Sequence, residues 1–247
     1  MQQSLSIFVQ TAKKYVPKNK IVNVFEVGAR DCVDTLSFRE LLPESTIYAF
    51  ECNPNTLGLC RKNIKNSKNI NLIEKAVTNF DGKVTFYPIN KDKTVTVWKD
   101  GNPGASSLLK ASGKYPLEKY EQDEVEVETT KLATFLRQKN ISSIDLLWMD
   151  IQGSELNALK GLDDKISQVK IVHLEIEFFE IYEKQPLFRD IKSFFKKSGF
   201  IFLGFTNIGT YAGDAIFLNQ NVVEKNWTRF WLKFTEIFRY LLKSQIQ

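Results

Sequence analysis

Pairs of acidic residues stand at the ends of two apolar segments and could carry out acid–base chemistry. Asp150 and Glu155 follow the first segment, and Glu175 and Glu177 end the second. Acids that crowd together raise one another's pKa, so that one of them can act as a general base near neutral pH. Their oxygens could equally hold a divalent metal, with Asp150, Glu175 and Glu177 as candidate ligands. The plainer alternatives are a helix-capping role for Glu155 and solvated acids elsewhere.

A second set of residues that could bind a ligand surrounds the single glycine of the segment VFEVGARD, residues 24–31. This segment is predicted to form a strand and a turn that leads into a helix. Glu51 ends the following strand 23 residues after Gly28, near the ~20-residue offset at which an acid binds ribose in dinucleotide folds. The other glycines of a phosphate-binding G-x-G-x-x-G turn are absent, and Glu26 would repel a pyrophosphate. These residues favour a ribose-bearing cation without phosphate, such as S-adenosylmethionine, whose carboxylate Arg30 could bind. A tight turn without any ligand is the alternative.

Hydrophobic periodicity predicts the helices and strands that would position these groups. Helices are predicted over residues 4–16, 34–42, 53–66, 131–139, 154–162 and 187–199. Strands are predicted over residues 21–28, 46–52, 70–78, 124–130, 143–153, 169–177, 200–205 and 214–219, with an antiparallel strand inside 80–89. Asn53 and Pro54 mark the start of the third helix, as its cap and first residue. This alternation implies an α/β fold, a mostly parallel sheet covered by helices on both faces.

Composition places few limits on function. The 247 residues suffice for one α/β domain, and a net charge of +5 does not by itself indicate a nucleic-acid partner. Three cysteines without a C-x-x-C pair favour a reducing compartment, and the first residues lack the apolar stretch of a secretory signal, so we expect a cytoplasmic protein. Residues 90–123 carry little periodicity and are interpreted as a long surface excursion of the kind that often forms a lid.

Several motifs resemble, in order along the chain, those of the FkbM family of S-adenosylmethionine-dependent methyltransferases. They are VFEVGARDCVDTLSF, IYAFECNP, AVTNFDGKVTFY, SSLL, IDLLWMDIQGSELNALKGL and VHLEIE. The most specific is a D-x-E-G-x-E-x-x-x-L-x-G block, which spans Asp150 to Gly161 here. The resemblance implies a class I methyltransferase fold, a Rossmann-like three-layer sandwich whose seven-stranded, mostly parallel sheet has its last strand antiparallel. It also implies O-methylation, often of a hydroxyl on a sugar or a natural product.

The resemblance and the strand ends together give a set of expected site residues. Asp150, Glu155 and Glu175 are the predicted catalytic residues, with Asp150 orienting or deprotonating an acceptor hydroxyl. The predicted cofactor-binding residues are Glu26, Gly28, Ala29, Arg30, Glu51, Cys52, Asn53, Ala76, Ser107 and Asp150. His173, the only histidine, is expected to be a hydrogen-bonded interior residue, with a buried base as the alternative.

Four positions depart from the family's pattern. Gln152 stands where the family usually has Glu, and Cys32 replaces a glycine of the first motif. Trp148 stands where a Lys is common, and Glu177 where a His often follows the acid of the next strand. The cofactor motif keeps its acids and its first glycine, so these departures concern the acceptor more than the methyl donor.

The last residues carry a basic amphipathic pattern beyond the resemblance. Aromatic and leucine residues recur at helical spacing over 222–243, with lysines and arginines between them. Such a helix can lie on a membrane surface, but more often it packs on its own domain or on another subunit of a homo-oligomer. We therefore divide the chain into an N-terminal helix (1–20), a methyltransferase domain (21–220) and a C-terminal amphipathic helix (221–247).

The sequence thus predicts an S-adenosylmethionine-dependent methyltransferase that modifies a hydroxyl of a saccharide or a similar acceptor, and no nucleic acid. Two alternatives remain open at this point. One is an NAD-dependent oxidoreductase built on the same sheet. The other is a relative that binds cofactor or glycan and has lost activity through the change at Gln152.

Overall fold

The computed structural model describes residues 2–17 and 20–223, which contain ten strands and six α-helices. The helices are α1 Gln2–Tyr15, α2 Val33–Leu41, α3 Leu57–Ile64, α4 Leu132–Gln138, α5 Glu155–Lys160 and α6 Phe188–Lys197. The strands are β1 Asn23–Val27, β2 Thr46–Phe50, β3 Ile70–Ile73, β4 Ala76–Val77, β5 Gly82–Phe86, β6 Val125–Thr130, β7 Ile144–Met149, β8 Val169–Glu177, β9 Phe200–Ile208 and β10 Ala212–Asn219.

Seven of these strands form the central sheet, in the order β3-β2-β1-β7-β8-β10-β9. β10 runs antiparallel to both of its neighbours, and the other pairings are parallel. The predicted sheet, mostly parallel with its last strand antiparallel, is therefore confirmed. The strand order reverses between β1 and β7, so the loops after these two strands diverge and leave a crevice at the sheet's carboxyl edge.

Apolar side chains cover both faces of the sheet, as a buried parallel sheet requires. On one face Phe8 of α1 and Phe38 of α2 belong to a cluster with Leu146 of β7. On the other face Phe135 of α4 belongs to a cluster with Leu147. Neighbouring residues of β7 thus enter opposite clusters, because strand side chains alternate in direction. The result is the three-layer sandwich that the sequence predicts.

The predicted strand over 70–78 is wrong as a single element. β3 ends at Ile73, and β4 joins a separate three-stranded sheet of order β4-β6-β5. The break falls at a tight turn in which the amide of Lys75 donates to the carbonyl oxygen of Ile73 at 2.9 Å. The two charged residues of this turn then reach different partners, Glu74 an arginine of α3 and Lys75 Glu128 of β6.

The third predicted helix begins later than its sequence signal indicates. α3 starts at Leu57 with Thr56 at the capping position, each three residues beyond the expected first residue and cap. The carbonyl oxygen of Asn53 accepts from the amides of both Thr56 and Leu57, each at 3.1 Å, and so closes a turn ahead of the helix. The regular helix therefore does not begin at Pro54, but Asn53 does cap the turn ahead of it, because its side-chain oxygen accepts from the amide of Asn55 at 3.0 Å.

The predicted C-terminal amphipathic helix lies outside the described residues apart from its first positions. Val222 and Val223 pack against the cluster that α1 forms on the sheet. No helix within residues 2–17 and 20–223 combines the length and apolar character needed to cross a bilayer.

His173 of β8 lies in the interior and is hydrogen-bonded, as expected. Its ring stacks on Trp148 with centroids 3.8 Å apart, and its Nε2 lies 2.8 Å from the hydroxyl oxygen of Thr206. Burial disfavours the charged imidazolium and lowers the pKa of His173 to about 3. This histidine therefore stays neutral in the folded protein at physiological pH.

We expect acid to destabilise the fold through His173. An unfolded histidine takes up a proton near pH 6.5, whereas the folded one does so only near pH 3. The unfolded state binds more protons between these values, so the free energy of unfolding falls as the pH drops through this window. In His173→Phe this contribution is absent, and the difference in unfolding free energy between the two proteins should change by about 1.4 kcal/mol per pH unit. Urea unfolding at about pH 6 and about pH 4.5 measures it; a pH-independent difference would contradict the assignment.

Candidate active site

A cavity of about 490 Å³ occupies the crevice between the ends of β1 and β7. This volume lies within the range of small-molecule sites. Nine of the ten predicted cofactor residues line it, namely Glu26, Gly28, Ala29, Arg30, Glu51, Cys52, Asn53, Ala76 and Asp150. The tenth, Ser107, is buried behind the lining, where its hydroxyl donates to the carbonyl oxygen of Gln152 at 2.7 Å. Its neighbour Ser106 lines the cavity instead.

The turn after β1 presses the backbone against the end of β7. Gly28 has a φ of 91°, and a Cβ atom at this position would lie 1.9 Å from the carbonyl oxygen of Asp150. The turn therefore needs glycine. The amides of Gly28 and Ala29 both donate to the carbonyl oxygen of Phe50 at 3.0 Å, which ties the turn to β2. Cys32 has a φ of 62° just before α2, so the missing glycine of the motif is replaced without loss of the left-handed backbone.

Glu51, directly after β2, joins the turn after β1 to its own loop at the cavity. One carboxylate oxygen accepts from the amide of Arg30 at 2.6 Å. The other accepts from the amides of Cys52 at 2.9 Å and Asn53 at 2.6 Å. Burial nevertheless raises the pKa of Glu51 to about 7. The carboxylate is thus held rigidly at a point where it can accept hydrogen bonds from a ligand.

Two further acids line the cavity beside the Gly28 turn. Glu26 accepts a hydrogen bond from the hydroxyl of Thr35, and burial raises its pKa well above the ordinary value. Burial also raises the pKa of Asp34 in the first turn of α2. A bound cation would stabilise the ionised form of each acid. The cavity therefore suits a ligand that combines positive charge with hydrogen-bonding hydroxyls, and S-adenosylmethionine has both.

Gln152 joins the acids that follow β7 and end β8. Its amide nitrogen donates to a carboxylate oxygen of Asp150 at 2.7 Å and to one of Glu175 at 2.5 Å. Its amide oxygen accepts from the hydroxyl of Tyr182 at 2.9 Å. Gln152 has a φ of 54°, a left-handed conformation of the kind that persists where surrounding contacts hold it in place. One neutral side chain thus holds two carboxyl groups together at the cavity.

The two acids joined by Gln152 differ in how firmly they hold a proton. Burial, together with the nearby carboxyls of Asp150, Glu177 and Glu155, raises the pKa of Glu175 well above its ordinary value. Burial also raises the pKa of Asp150, but hydrogen bonds from Gln152 and Glu175 oppose the rise. We therefore expect Asp150 to ionise first while Glu175 keeps its proton. An ionised carboxylate beside a cavity can act as a general base.

Two other predicted acids are buried outside the cavity lining. Glu155 begins α5 and accepts from the amide of Ile151 at 2.9 Å, while burial raises its pKa to about 7. Glu177 is buried at the end of β8, and its pKa is raised well above the ordinary value by burial and by the other acids. Glu155 therefore braces the turn after β7.

The candidate metal ligands are not gathered into a metal-binding group. Within residues 2–17 and 20–223, no three histidine, cysteine, aspartate or glutamate side chains are placed so that they could hold a metal ion together. The amide of Gln152 bridges Asp150 and Glu175, and Glu177 lies away from the cavity.

The excursion over residues 90–123 closes one side of the cavity. Asp100 forms an ion pair with the guanidinium of Arg30 at 2.9 Å, which ties the excursion to the Gly28 turn. The side-chain amide of Asn102 donates to the carboxylate of Glu118 at 2.8 Å. Three rings of the excursion line the cavity, and we call them the aromatic wall: Trp98, Tyr115 and Tyr120.

Sequence reasoning missed Gln152 and the aromatic wall as parts of the site. In the sequence Gln152 differs from the family pattern, and its position two residues after Asp150 is the only signal that it belongs to the site. The rings of Tyr115 and Tyr120 lie 5.8 Å apart, and Tyr120 stacks on Tyr182 with centroids 6.1 Å apart. No local period in residues 90–123 indicates this arrangement, because it depends on contacts with Tyr182 in the loop after β8 and Tyr211 in the loop after β9.

The strand order, the glycine turn and the acids at the strand ends define a class I methyltransferase that depends on S-adenosylmethionine. The chain belongs to the FkbM methyltransferase family, because the family model described as "Methyltransferase FkbM domain" matches residues 26–202, well over half of its length. This membership assigns methyl transfer and not the hydride transfer of the oxidoreductase alternative.

Two relatives share the matched region. The chain is 27% identical over 168 residues to the "2-O-methyltransferase NoeI" of Sinorhizobium fredii (strain NBRC 101917 / NGR234), a match that covers 68% of each chain. It is 26% identical over 166 residues to "Methyltransferase 1" of Beauveria bassiana (strain ARSEF 2860), covering 64% of this chain and 66% of that relative. The chain thus spans about two thirds of the length of each.

Solved structures of more distant proteins are also similar. The precorrin-6y C5,15-methyltransferase of Geobacter metallireducens GS-15 is 12% identical with a TM-score of 0.47, covering 85% of this chain and 86% of that chain. The magnesium protoporphyrin IX methyltransferase of Synechocystis PCC 6803, solved with bound S-adenosylmethionine, is 10% identical with a TM-score of 0.46, covering 88% and 79%. Both scores lie below 0.5, and the fold is therefore assigned from the strand order described above.

Proposed function

We propose that this protein transfers a methyl group from S-adenosylmethionine to a hydroxyl oxygen of a saccharide. The observation that carries the proposal is the pair of carboxyl groups, Asp150 and Glu175, which Gln152 holds at the cavity beside the Gly28 turn. When bound, S-adenosylmethionine supplies a methyl group activated by the sulfonium charge. The chain itself must orient the acceptor oxygen, receive its proton and exclude water.

On the donor side, Glu51 is the residue we assign to the ribose hydroxyls. Its oxygens line the cavity and are fixed by three backbone amides. Glu26 and Asp34 are acids whose ionised forms a cationic ligand would favour. Arg30 lines the same cavity, and its guanidinium, now paired with Asp100, is the group we assign to the carboxylate of the donor.

On the acceptor side, we assign Asp150 as the base that takes the hydroxyl proton. We assign Glu175 as its protonated partner, because burial and the neighbouring acids raise the pKa of Glu175 well above its ordinary value, while a hydrogen bond from Glu175 opposes the rise in the pKa of Asp150. Gln152 fixes the distance between the two carboxyl groups. Glu155 supports the turn that presents Asp150, since it accepts from the amide of Ile151.

Two features favour a sugar hydroxyl as the acceptor. Asp150 and Glu175 carry carboxyl oxygens that can accept hydrogen bonds from hydroxyl groups, and Glu118 adds a third carboxyl group at the cavity. The aromatic wall offers flat apolar faces next to these polar groups, the combination expected at a site for a small molecule with both kinds of surface. The name of the bacterial relative states transfer to an oxygen.

The chemical identity of the product tests the proposal. The full chain is incubated with S-adenosylmethionine carrying a deuterated methyl group and with a panel of glycosides that includes amino sugars. Mass spectrometry and NMR should locate the label on a hydroxyl oxygen of at least one glycoside. Label found only on nitrogen, or only on non-carbohydrate hydroxyl compounds run in parallel, would overturn the assignment of the acceptor.

Replacing Glu51 with alanine should weaken the binding of S-adenosylmethionine by ~10- to 150-fold. The estimate corresponds to a charged acceptor whose hydrogen bonds are worth ~1.5–3 kcal/mol. Isothermal titration calorimetry on the folded variant measures the change. Glu44→Ala makes the same substitution at an exposed position before β2 and should bind like the wild type. Equal affinity for Glu51→Ala and the wild type would remove Glu51 from the site.

A further inference from the structure

The four most exposed large apolar side chains of the described residues lie together on the excursion. They are Val97 (88% exposed), Val95 (65%), Leu117 (62%) and Trp98 (59%). Val95 and Lys119 form an antiparallel bridge, with backbone hydrogen bonds of 2.9 and 3.0 Å. Val97 is two residues after Val95, and Leu117 is two residues before Lys119, so both lie on the stretch of chain between the two bridged residues. We call these four apolar residues the apolar rim.

The apolar rim is continuous with the cavity. Trp98 belongs both to the rim and to the aromatic wall that lines the cavity. Tyr115 and Glu118 of the lining are half-buried, and the two residues between them in the chain, Pro116 and Leu117, are exposed. A ligand whose polar part fills the cavity can therefore reach the rim along the ring of Trp98.

The fold does not need the rim, because polar contacts hold the excursion in place. The ion pair between Arg30 and Asp100 ties it to the Gly28 turn. The side-chain amide of Asn90 donates to the carboxylate of Asp123 at 3.0 Å and so joins the two ends of the excursion. A contiguous exposed apolar patch that the fold does not require marks an interaction site.

The charge around the rim does not match an anionic membrane. Residues 90–123 contain six lysines and five acidic residues, so positive and negative charges nearly balance. Segments that bind anionic lipid instead carry clusters of about four to eight basic residues. An uncharged apolar group attached to the acceptor agrees better with a neutral rim that opens into the cavity.

We propose that the acceptor is an amphiphilic glycoside, whose sugar enters the cavity while an attached alkyl or acyl chain lies on the apolar rim. The inference rests on the proposed function, since it describes the acceptor of the same site. It adds that the acceptor's affinity comes in part from a non-sugar group bound outside the cavity.

The test compares methyl and n-octyl glycosides of the same sugars, each below its micelle concentration. Their binding to the full chain, saturated with S-adenosylhomocysteine, is measured by calorimetry, and methyl transfer is measured in parallel. We expect the octyl glycoside of an accepted sugar to bind about tenfold more tightly than the methyl glycoside, since burial of a few methylene groups suffices for this. In the double variant Val97→Ser/Leu117→Ser the octyl-to-methyl ratio should fall to within about twofold of one. Val22→Ser, an exposed position before β1 at the opposite end of the sheet, should keep the wild-type ratio.

Each contrary outcome separates the two proposals. Equal affinity for both glycosides, or a ratio that survives in the double variant, would overturn the role of the rim, while transfer to the methyl glycoside would leave the proposed function intact. Two other results, in the absence of any octyl preference, would give the rim another partner. If the wild type binds phosphatidylcholine–phosphatidylglycerol vesicles and the double variant does not, the rim binds a membrane. If sedimentation shows a dimer that the double variant abolishes, the rim binds a second copy of the chain. Failure of every glycoside to bind or react would overturn both proposals.

Discussion

Replacing Asp150 with asparagine should lower methyl transfer to the acceptor by ~10²–10⁴-fold, the usual contribution of a general base. The amide keeps the shape of the side chain and some of its hydrogen bonds, but it cannot take a proton. Asp150 stands directly after β7, whose six residues are all buried, so the carboxylate is held by a rigid scaffold. The affinity for S-adenosylmethionine should stay nearly unchanged, because the groups assigned to ribose and to positive charge lie on β1, β2 and α2.

Steady-state turnover and calorimetric titration of the donor check this prediction together. Asp164→Asn provides the matched control, since Asp164 is exposed and precedes β8 at the other end of the sheet. Normal turnover in Asp150→Asn would show that Asp150 is not the base, and Glu175 would become the residue to test. Loss of donor binding alongside turnover would instead place Asp150 in the donor site.

Replacing Gln152 with glutamate should also lower turnover near neutral pH by ~10²–10⁴-fold. The amide nitrogen donates one hydrogen bond to Asp150 and one to Glu175. A hydrogen bond to a charged group is worth ~1.5–3 kcal/mol. A carboxylate in its place offers no donor and adds a negative charge beside two acids. That charge further raises the pKa of Asp150, so the rise of turnover with pH should shift to higher pH.

A pH–rate profile separates this effect from simple misfolding. Gln152→Ala removes the donors without adding charge, so it should lose activity with a smaller shift of the profile. Gln138→Glu introduces the same charge at an exposed position that ends α4 and should behave like the wild type. If Gln152→Glu matches the wild type in both rate and profile, the amide has no role in holding the two acids. The result is informative because glutamate is the residue that the family pattern usually has here.

Most of the central sheet could be predicted from local pattern, because its strands are buried on both faces. The run from Ile144 to Met149 is apolar except for Asp145, and such a run in an alternating α/β sequence predicts a strand buried inside the sheet. The break inside 70–78 could not be predicted in this way. Apolar residues continue on both sides of Glu74 and Lys75. The break is set by strand pairing, because Ile73 pairs with β2 in the central sheet whereas Ala76 and Val77 pair with β6, far along the chain.

The donor side of the site could be located from the sequence for a related reason. Glu26 and Gly28 belong to one strand and its turn, and Glu51 ends the neighbouring parallel strand. Residues at the carboxyl ends of adjacent parallel strands meet at one edge of the sheet, so their order along the chain is enough to bring them together. Their chemical types then indicated a ligand with hydroxyls and positive charge.

On the acceptor side the sequence located the acids Asp150 and Glu175 at their strand ends, but tertiary structure decided what joins and surrounds them. Left-handed backbone at Gln152 and Gly153 ends the alternation of β7, so side-chain directions after Asp150 follow no period. Gln152 turns toward Glu175, which lies 23 residues further along the chain, while Glu155 turns inward to the backbone. The aromatic wall comes from an excursion whose course is set by its contacts with the rest of the fold. Sequence determined the sheet and the donor edge, where local periodicity and strand order dictate position; the acceptor surface depends on long-range contacts that no local pattern encodes.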